Sequence, residues 1–455
     1  MKNNQKIALL IVSLGAFLIP FMGTALNIAT PSIGSEFILN ALFISWIPTS
    51  FLLGNAAFLL VFGKIGDIYG RKRIFQYGVL IFTVSSIVAA LSNSGFMLFI
   101  SVFFTGLGSS MIYANAVAIL SSLFPSGERG GALGTYVTSV YAGILAGSIL
   151  GGFLTNSLGW RSIFLFVIPL GVLTALLILF KFPQDWRDAK GDEFDYKGSS
   201  IYLISILAIM YGISFISSLQ GIIALILGLI GISMFIWWEL KFKTPILNIN
   251  LFKNRFFTVS TVSILIMQIS TSSMWFLLSF YLQSVKLIKP DITGLILVVQ
   301  PLTVVLLSVY TGILSDKVKL NIVPTVGLAL SAIGLFIFAG LNESSPIEFL
   351  FLGLIMVGIG SALFASPTTN ITMSSVNKKY YGMASATVSN MVFTGQLLSM
   401  GVVIMVFSIQ MGTAAINEAN NLCFLNCMKT IFTIFTIISL IGMFLTFTIL
   451  KKKTV

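Results

Sequence analysis

The residues with capacity for acid–base, nucleophilic or metal chemistry are few and unevenly placed. The chain has no histidine, two cysteines and 14 Asp plus Glu residues against 26 Lys plus Arg. Cys423 and Cys427 stand four apart, a spacing open to a disulfide, half a metal site, or two small residues on one helix face. Nothing remains to complete a zinc site, so neither a metal centre nor a cofactor is expected. There is no glycine-rich loop ending in Gly-Lys-Ser or Gly-Lys-Thr, so no nucleotide partner is expected, and no catalytic constellation that would make an enzyme. The densest polar segment is Gly63-Lys64-Ile65-Gly66-Asp67-Ile68-Tyr69-Gly70-Arg71-Lys72-Arg73. Gly63 and Gly70 permit a tight connection. Asp67 can pair with a basic residue or accept from a helix N-terminus, and Arg71 to Arg73 can anchor at anionic headgroups. Elsewhere the polar residues inside apolar runs are neutral: Asn27, Asn55, Asn115, Gln268, Gln300, Asn390 and Gln396, with Tyr113 and Trp275 adding aromatic faces. A lone amide in hydrocarbon is costly without a partner. Each of these is open to interhelical hydrogen bonding or to ligand contact; Asn27 and Asn115 are the leading candidates for a central cavity.

The elements that carry these residues follow from composition. The chain is 57% hydrophobic and 9% charged, whereas soluble domains carry roughly 25% charged residues. Charged residues cut it into apolar blocks of about 20 residues, the length of a membrane helix. Helices are predicted near 7–29, 41–63, 73–92, 96–118, 131–154 and 161–181. Two more lie within 198–238, divided at Ser217-Ser218-Leu219-Gln220-Gly221, and six follow near 256–283, 292–314, 321–341, 347–369, 383–409 and 430–450. The first block is too long and lacks the small-residue cleavage site of a signal peptide, so it reads as a retained helix. With fourteen helices, 22 of the 26 Lys and Arg residues fall on the side of the termini, and only Arg161, Lys286, Lys289 and Lys429 fall on the other. The positive-inside rule then places both termini in the cytoplasm. A net charge of +12 in such a chain is read by lipid headgroups, and no nucleic-acid partner is expected. An internal repeat supports the count. Gly63–Asp67 and Gly312-Ile313-Leu314-Ser315-Asp316 are offset by 249 residues, and Arg129-Gly130-Gly131-Ala132 and Tyr381-Gly382-Met383-Ala384 by 252. The expected fold is an all-α polytopic membrane protein: a six-helix bundle over 1–181, a linker and two-helix hairpin over 182–255, and a second six-helix bundle over 256–455. Repeated halves are the usual build of secondary transporters.

The eleven-residue loop Gly63–Arg73 resembles the signature loop of the major facilitator superfamily. Phe124-Pro125-Ser126-Gly127-Glu128-Arg129-Gly130 resembles its loop before helix 5, and Trp160-Arg161-Ser162-Ile163-Phe164-Leu165 the start of its helix 6. Gly23-Thr24-Ala25-Leu26-Asn27-Ile28-Ala29-Thr30-Pro31 resembles the helix 1 motif of the fourteen-helix drug:proton antiporter branch. Gly147-Ser148-Ile149-Leu150-Gly151-Gly152 resembles the superfamily's antiporter motif, with Ser148 where proline is usual. Gly143, Gly147 and Gly151 share one helix face, which permits close backbone approach. That face is expected to lie between the two halves. Two departures stand out: Met22 replaces the branch's aspartate, and Val102 replaces its helix 4 arginine before Thr105-Gly106. Gly63, Asp67, Gly70, Arg71, Arg73 and Asp316 are the gating residues the resemblance and the repeat imply.

The resemblance implies a plasma-membrane carrier that exports amphipathic or lipophilic small molecules by alternating access. A carrier for one specific metabolite and a non-transporting receptor or scaffold are the alternatives. The partners are a small-molecule substrate, the bilayer and, where transport is coupled, an ion. No acidic or basic residue lies near the middle of a predicted helix, and such groups usually carry ion coupling. Coupling through a carboxylate near the membrane centre is therefore not expected; Glu36, just past helix 1, reads as a solvated loop residue. The charge count makes a direct prediction. In a background without Cys423 and Cys427, Asn3→Cys and Lys453→Cys should resist impermeant maleimide in intact cells and react after permeabilisation; labelling of either in intact cells would overturn the topology.

Overall fold

The computed structural model describes residues 3–124, 128–182, 185–187, 189, 191–317, 322–377, 381–412 and 414–450, of which 3, 4, 309, 312–317, 418 and 448–450 by backbone only. The apolar runs are helical for a reason imposed by the bilayer: without water in its core, a spanning backbone must satisfy its own N–H and C=O groups. Fourteen spans are long and apolar enough to cross it. They are α1 (Asn3–Phe37), α2 (Ala41–Tyr69), α3 (Arg71–Ala90), α4 (Gly95–Leu123), α5 (Arg129–Leu158), α6 (Arg161–Lys181), α7 (Tyr196–Ser214) and α8 (Leu219–Glu239). After these come α9 (Arg255–Val285), α10 (Pro290–Leu297 continued by Val299–Lys317), α11 (Ile322–Ala339), α12 (Ile347–Ser374), α13 (Tyr381–Gln410) and α14 (Asn421–Leu450). The spans match the predicted blocks, and several run further. α1 continues through Phe37, and α14 starts at Asn421, so Lys429 is an exposed helical residue and not part of a loop. Cys423 and Cys427 are free thiols on α14.

Many hydroxyl side chains satisfy themselves along the spans. Thr30 Oγ1 donates to Leu26 O at 2.6 Å, Thr83 Oγ1 to Val79 O at 2.7 Å and Thr271 Oγ1 to Met267 O at 2.8 Å. Such bonds to the preceding turn keep Ser and Thr tolerable in hydrocarbon. Caps sit where the chain leaves the helix: Ser94 Oγ accepts from Met97 N at the start of α4, and Asn254 Oδ1 accepts from Phe256 N at the start of α9.

The chain divides into two compact units, one of 1–39, 46–211 and 223–247, the other of 40–45, 212–222 and 248–455. Most of the inserted hairpin α7–α8 therefore falls with the first unit, where Tyr202 Oη of α7 donates to Ala56 O of α2 at 3.2 Å. Each unit pairs its helices on one plan. In the first, α1 packs on α4, α5 and α6, and α3 on α4 and α6; in the second, α9 packs on α12, α13 and α14, and α11 on α12 and α14. Helix n of the first set corresponds to helix n+8 of the second, which is the repeat the sequence offsets imply.

Glycines set the closest crossings. A Cβ built on Gly147 would stand 2.7 Å from Phe21 O and collide with Thr24 Oγ1, and one on Gly151 would stand 2.7 Å from Ala25 Cα. Gly143 meets Phe17 O and Pro20 in the same way, and Gly152 is buried beside them. The sequence reading expected the other half at this face; the close contact that Gly143, Gly147 and Gly151 make here is to α1 of the same unit. The sequence could not distinguish these partners, because small-residue spacing announces a close approach without naming the neighbour. The corresponding crossing of the second unit uses Gly395 of α13, whose Cβ would stand 2.6 Å from Gln268 Cβ and 2.9 Å from Leu265 O of α9.

The hairpin's outer helix is turned away from protein: Ile222, Ile226, Leu227, Ile230 and Trp237 of α8 are all exposed. Lys241 Nζ sits 3.8 Å from the Trp237 ring centroid and Lys197 Nζ 5.4 Å from that of Trp238. Aromatic and lysine pairs of this kind settle at the headgroup level.

Gly147 and Gly134 lie on the same helix, but a Cβ on Gly134 meets nothing within 4 Å. Gly147→Ala should overpack the α1 contact at a cost of about 1–3 kcal/mol. A thermal melt of the detergent-purified protein checks this: Gly147→Ala should lower the midpoint and Gly134→Ala should not.

Candidate functional site

Asp67 and Arg71 are brought together by the end of α2. Gly70 adopts φ 124° there, a left-handed conformation that favours glycine. The chain reverses into α3, and Arg71 Nε donates to Asp67 Oδ1 at 2.8 Å, with a second guanidinium nitrogen 2.6 Å from the same oxygen. Arg71 also donates to Ser122 Oγ of α4 at 2.9 Å and is 8% exposed. It does not reach outward to headgroups, as the sequence reading had it; its guanidinium is folded into the helix ends. The nearly buried Arg71 cation is matched by the Asp67 carboxylate, the more exposed member of the pair.

A feature invisible in the motif itself is that the linker after α6 is laced onto this loop. Arg71 N donates to Trp186 O, Ala189 N to Asp67 O, and Lys72 N to Asp185 Oδ1, all at 3.0–3.1 Å. Lys72 Nζ donates to Phe182 O at 3.1 Å, and Arg73 Nε lies 3.4 Å from Asp185 Oδ2. Lys64 Nζ of α2 forms an ion pair with Asp192 at 2.8 Å. The Asp185 carboxylate occupies the space that a side chain at Gly70 would need, so Gly70 serves both the turn and the linker. Gly63 lies on α2 against Ala114 of α4. The repeated Asp316 lies near the end of α10, with its side chain outside the described residues, as is the central part of the segment Phe124–Gly130.

At the other end of the first unit, Trp160 Nε1 donates to Glu36 Oε2 at 2.6 Å and Arg161 lies 2.7 Å from Glu36 Oε1. Arg161 also donates to Ser92 O at 3.0 Å and stacks 4.2 Å from the Trp160 ring centroid. Glu36 is thus in the last turn of α1, tying α1 to α6 and the end of α3, and is not a freely solvated loop residue. The tryptophan and arginine of the helix 6 motif are its partners.

The neutral polar residues divide between the units. In the first, Asn27 Nδ2 donates to Gly23 O at 3.0 Å and is half-buried. Asn115 is 1% exposed and donates to Met111 O at 2.9 Å and Phe62 O at 3.5 Å; its amide fills the space over Gly66. It joins α4 to α2 beside the signature loop, the interhelical reading weighed above. Tyr113 is half-buried with its ring 6.4 Å from that of Tyr136. In the second unit, α9 is interrupted at Ser272–Ser273 and ends in a π-helical turn, Tyr281–Val285. Ser399 Oγ of α13 accepts from Ser273 N at 3.1 Å and from Ser273 Oγ at 2.8 Å, which supplies the hydrogen bonds the break removes. Ser272 Oγ donates to Gln268 Oε1 at 3.0 Å, and Trp275 is half-buried one turn on. Gln300 and Asn390 are buried on α10 and α13, and Thr394 Oγ1 donates to Asn390 Oδ1 at 3.5 Å. The sequence reading also missed the interruption of α9, for which the adjacent serines inside an apolar run were the signal.

Comparison with known proteins agrees with this architecture. The family model of the Major Facilitator Superfamily matches residues 12–287 and 260–454. A riboflavin transporter of Clostridioides difficile, RibZ, is 31% identical over 397 residues, covering 86% of each chain. The multidrug resistance protein Stp of Mycobacterium tuberculosis is 28% identical over 395 residues, covering 86% of this chain and 73% of its own. Among solved structures, a bacterial homologue of the lysosomal transporter Spinster, inward-facing, has a TM-score of 0.71 at 14% identity, covering 99% of this chain and 98% of its own. The chain belongs to the major facilitator superfamily and is a multi-pass membrane transporter, not an enzyme.

Asp67→Asn should keep the fold but weaken the hold on Arg71 by roughly 1 kcal/mol, given the partial exposure of the pair. Turnover is expected to fall several-fold while equilibrium substrate binding stays near its original value. A large loss of binding in a protein that still elutes as a single species would place Asp67 on the substrate instead.

Proposed function

We propose that this transporter exports amphipathic or lipophilic small molecules from the cell by alternating access between its two units, with both termini cytoplasmic. The observation that carries this reading is the character of the polar groups within the spans. Asn27, Gln268, Gln300 and Asn390, with Tyr113 and Trp275, offer hydrogen bonds and ring faces without a fixed charge, while Asn115 is spent between α4 and α2. Among the described residues the ion pairs gather at helix ends and loops. Such groups suit a ligand whose own charge is absent or delocalised, because an uncompensated compact ion would be expensive to bring among them. Similarity to the multidrug resistance protein Stp supports the same reading.

A second reading, a carrier for one specific metabolite, is favoured by the similarity to the riboflavin transporter RibZ. A flat heteroaromatic ligand could be read by the same amides and rings. Proteoliposomes decide between the two. Uptake of riboflavin and of a lipophilic cationic dye is measured, each alone and against a panel of unrelated competitors, with and without a pH gradient at clamped voltage. Broad mutual competition is the expected result. Saturable riboflavin uptake that no dye inhibits would establish the specific carrier. No coupling carboxylate lies near the membrane centre in this reading, so Glu36→Gln should leave any gradient-driven accumulation intact.

A further inference from the structure

The inserted hairpin carries a pair of acidic residues that neither the signature motifs nor the proposed export route uses. Among the described residues, Asp195 and Glu239 are the two acidic side chains that are buried, at 1% and 2% exposed. Asp195 lies just before α7 and Glu239 is the last residue of α8, so they meet at the base of the hairpin, on the side of the Gly63–Arg73 loop. Their carboxyl groups face each other beside Gly198. Gly198 shows how closely they converge: a Cβ there would meet Asp195 Oδ2 and, at 2.8 Å, Glu239 Oε1.

The donors around the pair are unequally shared. Asp195 accepts from Trp238 Nε1 at 3.0 Å on both oxygens and from Gly198 N at 2.8 Å. Glu239 Oε2 accepts from Leu247 N at 3.0 Å, while its Oε1, buried and aimed at Asp195, receives no hydrogen bond. The charged and titratable groups of the surrounding elements do not neutralise the pair. Asp192 is engaged by Lys64. Glu193 and Tyr196 are exposed, as are Lys197, Lys241 and Lys243; the Lys197 and Lys241 ammonium groups lie over the Trp238 and Trp237 rings. No ion pair reaches Asp195 or Glu239 among the described residues. Two buried carboxylates this close cannot both be ionised without a cation.

We propose that Asp195 and Glu239 form a proton-binding site: Glu239 Oε1 carries a proton and donates it to Asp195 Oδ2, and loss of that proton sets two buried like charges against each other at the hairpin base. Asp195 is the anion because the Trp238 and Gly198 N–H groups both donate to it, and the shared proton satisfies the one oxygen left without a partner. The site lies outside both six-helix repeats and does not depend on the identity of the substrate.

The test is infrared spectroscopy of the full-length protein in detergent, titrated from acid to alkaline pH. A protonated-carboxyl C=O band that persists at neutral pH and disappears at higher pH is expected. Glu239→Gln and Asp195→Asn should each remove it, and the thermal midpoint, falling with rising pH in the parent, should become flat in Glu239→Gln. If a variant fails to fold, the parent protein carrying 13C-carboxyl glutamate decides: the band must shift. Absence of the band at neutral pH, or its survival in both folded variants or without a glutamate isotope shift, overturns the proposal. So does a band that is absent in sodium buffer and present in N-methylglucamine, which would assign the two oxygens to a monovalent cation.

Discussion

Hydrocarbon offers no hydrogen bonds, and the whole molecule is arranged around that lack. Backbone groups close on themselves in helices, and Ser and Thr hydroxyls bond the preceding turn. Where a helix is interrupted, as α9 is at Ser272–Ser273, a neighbour must supply the missing acceptor, and Ser399 does so. Charges are driven to helix ends, where they become fastenings. One end of the first unit is held by Arg71 with Asp67, Ser122 and the linker carbonyl of Trp186; the other is held by Arg161 with Glu36, Ser92 and the Trp160 ring. Between these ends, close backbone approach at glycine is joined by neutral interhelical bonds such as Ser85 with Thr105 and Ser273 with Ser399. The ion pairs therefore lie at the ends, and shape and neutral contacts hold the middle.

That division suits a carrier that must change conformation. Glycine crossings such as Gly147 on Phe21 have no strong directional bonds and permit small relative displacements, whereas the ion pairs at helix ends have distinct made and broken states. Trp186 and Ala189 of the linker meet the signature loop through main-chain bonds, and its Asp192 pairs with Lys64 of α2.

Much of this was legible in the sequence because bilayer physics leaves few options. Blocks of about 20 apolar residues could only be spans, and the charge asymmetry and the 249-residue offset fixed their number and repetition. Asp67 was legible as a carboxylate able to pair with a basic residue, but Arg71 read as a headgroup anchor, and only the fold shows the two to be partners. The partners reached through space were not legible. Nothing local to Gly147 says that it faces α1, nor does Asn115 announce that its amide fills the hollow over Gly66. Glu36 is exposed, as it read, but its partners Trp160 and Arg161 lie 124 and 125 residues away and nothing local announces them. Asp195 and Glu239 were hidden for the same reason: each is an ordinary acidic residue at a helix end until the hairpin folds one onto the other.

The outward face of α8 carries a consequence for where the protein can reside. Its apolar surface meets lipid directly, and Trp237 with Lys241 pins one end to the headgroup layer. Bilayer thickness therefore acts on this helix as a mechanical load: a membrane thicker or thinner than α8 must tilt the hairpin or deform around it, at fractions of a kcal/mol per ångström of mismatch. Because the hairpin base is tied through Asp192 to Lys64 of α2, that load is delivered to the helix that ends in the signature loop.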